Sequence, residues 1–142
     1  MTKYCAQSRY GYNCFTDNLT ELQSDDDAAT ANRGNVWQMP SLIQWQELIN
    51  IDYTTMTWTK QNGVNDRTIM SKNGNSIFLP AAGLFGTTTL YDAGSCGDYW
   101  SRSLYTENSF SGCDLYFNTN SVGTGIWERY NGRSVRPVRV QE

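Results

Sequence analysis

The chain contains no histidine, and charged residues occupy only 18% of its 142 positions. Proton transfer near neutral pH most often relies on imidazole, so the commonest catalytic acid–base group is excluded at the outset. The four cysteines, Cys5, Cys14, Cys96 and Cys113, include no CxxC pair, and without histidine the usual zinc-ligand spacings cannot be assembled. No apolar run approaches the roughly 18 residues that a membrane-spanning helix needs, and the N-terminal MTKYCAQSRYGY has no apolar core of the signal-peptide kind. Basic residues are scarce as well. A net charge of -3, with no lysine after Lys72, is the wrong balance for a phosphate-neutralising surface. The sequence therefore predicts no metal, no cofactor, no nucleic-acid partner and no direct membrane insertion.

What remains is rich in aromatics, which make up 13% of the chain, too much apolar material for a disordered segment. The length suits one domain over residues 1–142. A first helix is expected from Ser24 to Arg33, with Ser24 as N-cap, Asp25, Asp26 and Asp27 in the first turn, and Gly34 closing it. Consecutive carboxylates on a helix point in different directions, so these three do not converge on a calcium ion. A second helix, Ser41 to Asn50, begins with a capping-box pattern of Ser41 and Gln44 and carries an apolar stripe of Leu42, Trp45, Leu48 and Ile49.

From Tyr53 the period changes to two. TTMTWTKQ, RTIMSKN and SIFLPAAG, separated by Asn62-Gly63 and Asn73-Gly74, read as a three-stranded antiparallel meander. GLFGTTT lacks the GK[ST] ending of a phosphate loop and reads as a connecting loop. DYWSRSL, CDLYFN, GIWERY and SVRPVRV follow as strands between long irregular loops, with Pro137 expected at a bulge or an edge. The fold class is α+β, with two helices packed on antiparallel sheets. Trp37, Trp45, Tyr99 or Trp100, Leu115 and Phe117 are the expected core, and disulfides Cys5–Cys14 and Cys96–Cys113 are left open.

The segment from Asp98 to Arg133 embeds Tyr99, Trp100, Tyr105, Phe110, Tyr116, Phe117, Trp127 and Tyr130 in Ser, Gly, Asn and Thr, which is the make-up of an antibody paratope. DAGSCG superficially suggests a nucleophile turn, but GxSxG is absent and no histidine exists to activate Ser95 or Cys96.

DNLTELQSDDDAATAN, WQMPS followed by WQELI, TWTKQNGVNDR, NGNSIFLPAAG, LYDAGSCGDYWSRSL, LYFN and RYNGRSVRPVR together resemble a paralogous domain family of Bacteroidetes and Fibrobacter over nearly the whole chain. That family is similar to C-type-lectin-like and formylglycine-generating-enzyme-like folds. Some members look like targets of diversity-generating retroelements, which alter adenines in a C-terminal repeat. The resemblance implies a C-type-lectin-like fold, a place in the C-terminal part of a larger protein, and a variable ligand-binding region over residues 94–133. Arg102 and Arg133 stand where relatives tend to read YWSSSL and RYNGQSVRPV, as diversified positions would. The calcium-dependent sugar-binding patterns of lectins and the paired catalytic cysteines of formylglycine-generating enzymes have no counterpart here.

The leading expectation is thus a non-enzymatic binding module, extracellular, cell-surface or virion-displayed, that grips a protein or glycan ligand at a host-cell or bacterial surface. Asp98, Arg102, Tyr105, Phe110, Cys113, Asp114, Thr124, Ile126, Trp127 and Arg133 are expected to gather on one solvent-facing surface, with Trp127 as anchor. The alternatives are a formylglycine-generating-enzyme-like oxidase, marked by Cys96 and Cys113 facing each other in a cleft, and a structural domain of a surface or fimbrial protein.

Overall fold

A computed structural model of the chain describes residues 3–140. The first helix, α1 (Ala28–Arg33), is shorter than its sequence pattern suggests, because Asp27 and not Ser24 is the N-cap. Its carboxylate accepts from the Ala29 and Thr30 amides at 2.9 and 3.1 Å and from the Met39 amide at 2.9 Å. That third bond comes from beyond the helix and decides which member of the acidic run is buried. Gly34, at φ 85, closes the helix as expected. After the short strand β1 (Trp37–Gln38), α2 (Leu42–Leu48) starts with the full capping box, Ser41 taking the Gln44 amide and Gln44 taking the Ser41 amide. Trp45 is the buried residue of its apolar stripe, while Leu48 and Ile49 pack beside it.

The meander forms as predicted: β2 (Thr54–Gln61), β3 (Val64–Ser71) and β4 (Ser76–Pro80) pair antiparallel. Asn62 and Gly63 both adopt positive φ at its first turn, the geometry that matches strand twist. The stretch read as a loop is instead a small hairpin, β5 (Leu84–Gly86) with β6 (Thr89–Tyr91). Next come β7 (Cys96–Leu104), β8 (Ser111–Asn118) and β9 (Val122–Glu128), a second antiparallel sheet in that order. The C-terminal β10 (Val138–Arg139) pairs with β1, and Pro137 lies outside that ladder. Ser134 makes a parallel bridge to Tyr99 on the free edge of β7.

The core lies between the two three-stranded sheets and α2. Trp45, Ile69, Leu79, Ala81, Tyr99, Leu115 and Phe117 form it, with Tyr99 stacked on Phe117 at 6.1 Å. Trp37 falls outside it, half-buried on a two-residue strand with the Arg33 guanidinium over its ring. The architecture is a small α+β domain with two helices and several antiparallel sheets. Among the described residues, no helix is long and apolar enough to cross a membrane.

Candidate ligand-binding surface

Strand pleating sends alternate side chains to opposite faces. On the second sheet, Tyr99, Leu115 and Phe117 turn inward to the core. Asp98, Trp100, Asp114, Tyr116 and Trp127 take the other parity and share the outer face, together with Gly112, Gly123 and Gly125. The glycines are seats for rings. A Cβ on Gly112 would meet Trp100 at 3.2 Å, one on Gly123 the Tyr116 hydroxyl at 3.1 Å, and one on Gly125 the Trp127 Nε1 at 2.7 Å.

Arg133 reaches this face from the segment that runs along β7. Its guanidinium lies 4.7 Å from the Trp100 ring and 5.4 Å from the Trp127 ring, and it donates to Asp114 at 2.6 Å and Asp98 at 3.3 Å. The Arg133 side chain is only 2% exposed and Asp114 is fully buried, yet Trp127 is 47% exposed. Burial, opposed by Arg133 and aided by Asp98, pushes the Asp114 carboxyl up to about 6. Burial raises Asp98 too, with Arg133 opposing and Asp92 adding to the rise. Arg133 Nε is buried without a hydrogen-bond partner, while the Asp114 carboxylate faces the backbone amide of its ladder partner Gly125.

Of the residues singled out from sequence, Asp98, Asp114, Trp127 and Arg133 thus meet in one cluster, but the expectation that all would face solvent does not hold. Asp98 and Asp114 are buried under the arginine and the indoles. Cys113 is buried on the inward face, and Thr124 and Ile126 share its parity on β9, so Ile126 is exposed as expected but on the side away from the cluster. Arg102 leaves the cluster because β7 bulges between Trp100 and Leu104 and turns to the N-terminal segment, where Arg102 pairs with Glu21 at 3.2 Å and bonds Gln38. Phe110 is exposed but leans edge-on against Tyr10 at 5.1 Å, beyond the end of β7, and half-buried Tyr105 lies in the same β7–β8 connection.

Some contributors were missed. Trp100 and Tyr116 follow from period-two counting from Asp98 and Asp114, and the G-x-G at Gly123 and Gly125 signals a place where rings lie on backbone. The hairpin adds exposed Phe85, Leu90 and Tyr91, and Phe85 bonds both ways with Gly132. An open groove of about 280 Å³ runs between Phe85, Leu90 and Gly132 with Arg133 in its wall. Trp100 also borders a cavity of about 220 Å³ against Leu22, Met39, Leu104 and Val135.

All four cysteines are free thiols. Cys96 sits opposite Asn118 and Cys113 opposite Ile126, so the two have opposite parity and are separated by five residues along β8, about 17 Å at strand spacing. Their sulfurs do not face each other. Comparisons with known protein families, with curated proteins and with solved structures found no match.

Proposed function

We propose that this chain is a non-enzymatic ligand-binding module of C-type-lectin-like fold, and that the outer face of β7, β8 and β9 is its recognition surface. One observation carries the reading: Trp127 stands 47% exposed on a floor whose polar groups are otherwise buried. Trp127 and Tyr116 expose apolar rings on this face, the hairpin exposes Phe85 and Leu90 near the β7 edge, and a free-standing domain has little reason to keep apolar surface of this kind in the open. The cluster beneath it is held by ion pairs and stacking, so the ring is presented on a rigid base, and preorganisation of that kind lowers the cost of binding. The expected ligand is a protein or glycan at a host-cell or bacterial surface, met outside the producing cell.

The proposal extends to diversification by a retroelement within residues 94–133. A near-identical DNA repeat beside the gene, differing only at adenines, would support that part, and its absence would remove it. Adenine changes in an AAC or AAT codon cannot yield Trp, so Trp127 is then a constant anchor among variable neighbours. Trp127→Ala is expected to weaken a binder selected on the parent chain from a displayed peptide library by about 2 kcal/mol or more, roughly 30-fold. Phe78→Ala, exposed on the other sheet, is expected to leave the same affinity unchanged. Equal loss in both variants would refute the assignment of the face.

A further inference from the structure

A cavity of about 230 Å³ lies between α2 and the C-terminal segment, on the core side of the second sheet and opposite its outer face. Leu48, Ile77, Pro137 and Val138 make its walls apolar. The polar side chains in those walls offer donors. Trp45, only 2% exposed, is part of the lining, and its Nε1–H is buried with no acceptor among the described residues. Arg136 joins the lining from the stretch between the Ser134 bridge and β10, and among the described residues it forms no ion pair. Burial pushes the Tyr99 hydroxyl up to about 12 with Arg136 opposing, so the guanidinium lies on the inner side, near the edge-on contact of Trp45 with Tyr99 at 6.2 Å. Gln44 gives its carbonyl oxygen to the Ser41 amide, which leaves its NH2 as a further donor. Among the described residues no Asp or Glu lines the cavity. A buried donor without an acceptor is costly, and native folds seldom keep one without use.

We propose that this cavity binds a small apolar carboxylate, its oxygens taken by Arg136 and the Trp45 indole N–H and its hydrocarbon part lying between Leu48, Ile77 and Val138. An apolar cavity of about 150 Å³ already takes a benzene ring, so a site of this size holds a short chain or a single ring. The guanidinium selects the anion, because a charge-assisted hydrogen bond is about twice as strong as a neutral one. The carboxylate in turn supplies the acceptor that the buried indole lacks. This site is independent of the recognition surface: Trp45 belongs to the core side of the second sheet and Trp127 to its outer face, so either assignment can fail alone.

The test is an NMR titration of the full chain with hexanoate and its neutral counterpart hexanamide, following the indole N–H signals of Trp45 and Trp127. Hexanoate is expected to move the Trp45 signal downfield and saturably, to leave the Trp127 signal in place, and to bind about tenfold more tightly than hexanamide or better. That preference is expected to vanish in Arg136→Gln. Equal affinity of the two probes at Trp45, no response there, or a response shared equally by Trp127 would overturn the site and leave the recognition face to its own test. Tighter binding of N-acetylglycylleucine, run alongside, would overturn a free acid as the occupant in favour of a peptide end. If Arg136→Gln does not fold, the hexanoate–hexanamide comparison in the parent chain decides alone.

Discussion

Phe117→Ala is expected to destabilise the domain by about 3–5 kcal/mol, a large share of the roughly 5–15 kcal/mol that holds a typical domain folded. The ring is 1% exposed, stacks on Tyr99 at 6.1 Å and meets Trp58 edge-on at 6.3 Å. It also fills the space over Gly97, where a Cβ would lie 2.2 Å from the ring. Truncation leaves a cavity where β7, β8 and the first sheet meet, and the neighbours are strand residues with little freedom to collapse into it. Gly97→Ala attacks the same contact from the other side by overpacking and should also destabilise. Urea unfolding of both variants checks the account. A Phe117→Ala midpoint within error of the parent would mean that the ring is not central to the core.

The second large effect belongs to Arg133. Its replacement by methionine keeps much of the packing against Trp100 and Trp127 but leaves Asp98 and Asp114 buried without a counter-ion, which is expected to cost about 3–5 kcal/mol at pH 7. Asp114→Asn added to Arg133→Met should recover part of the loss, because one uncompensated charge is removed. The same cluster sets a pH dependence. The folded Asp114 carboxyl is raised from 3.8 to about 6, so the folded state holds that proton more tightly than the unfolded chain does. Its stabilising contribution is complete below about 3.8 and is lost as pH rises through about 6, with a size on the order of 2–3 kcal/mol. Asp98 is shifted in the same direction. Stability of the parent should therefore fall from pH 5 to pH 7 by more than that of Asp98→Asn/Asp114→Asn. Superimposable pH profiles would contradict the burial of these carboxylates.

Local chemistry was legible in the sequence wherever the deciding contacts are local. The capping box of Ser41 and Gln44, the stripe through Trp45, the Asn-Gly turns and the core places of Leu115 and Phe117 all appear as read. The misreadings come from contacts distant in sequence. Asp27 became the cap, not Ser24, because the Met39 amide also bonds to it. The β5–β6 hairpin has Thr87 at φ 53 in its turn and none of the usual Asn-Gly signal. Period-two counting from the buried Leu115 and Phe117 leaves Asp114 on the face opposite the core, and the ladder brings Asp98 to the same face, yet counting says nothing of what covers that face. The cover is Arg133, which arrives 35 residues after Asp98 and turns an apparently exposed acidic pair into a buried one. Arg102 was lost to the surface for a similar reason, since the bulge in β7 hands it to Glu21 and Gln38.

The central claim is that ligand meets the outer face of the second sheet, and hydrogen–deuterium exchange of the full chain with and without a library-selected binder addresses it most directly. The account predicts added protection over β7, β8, β9 and the 84–91 hairpin, with the β2–β4 meander unchanged. Protection confined to β2–β4 or to α2 would contradict it.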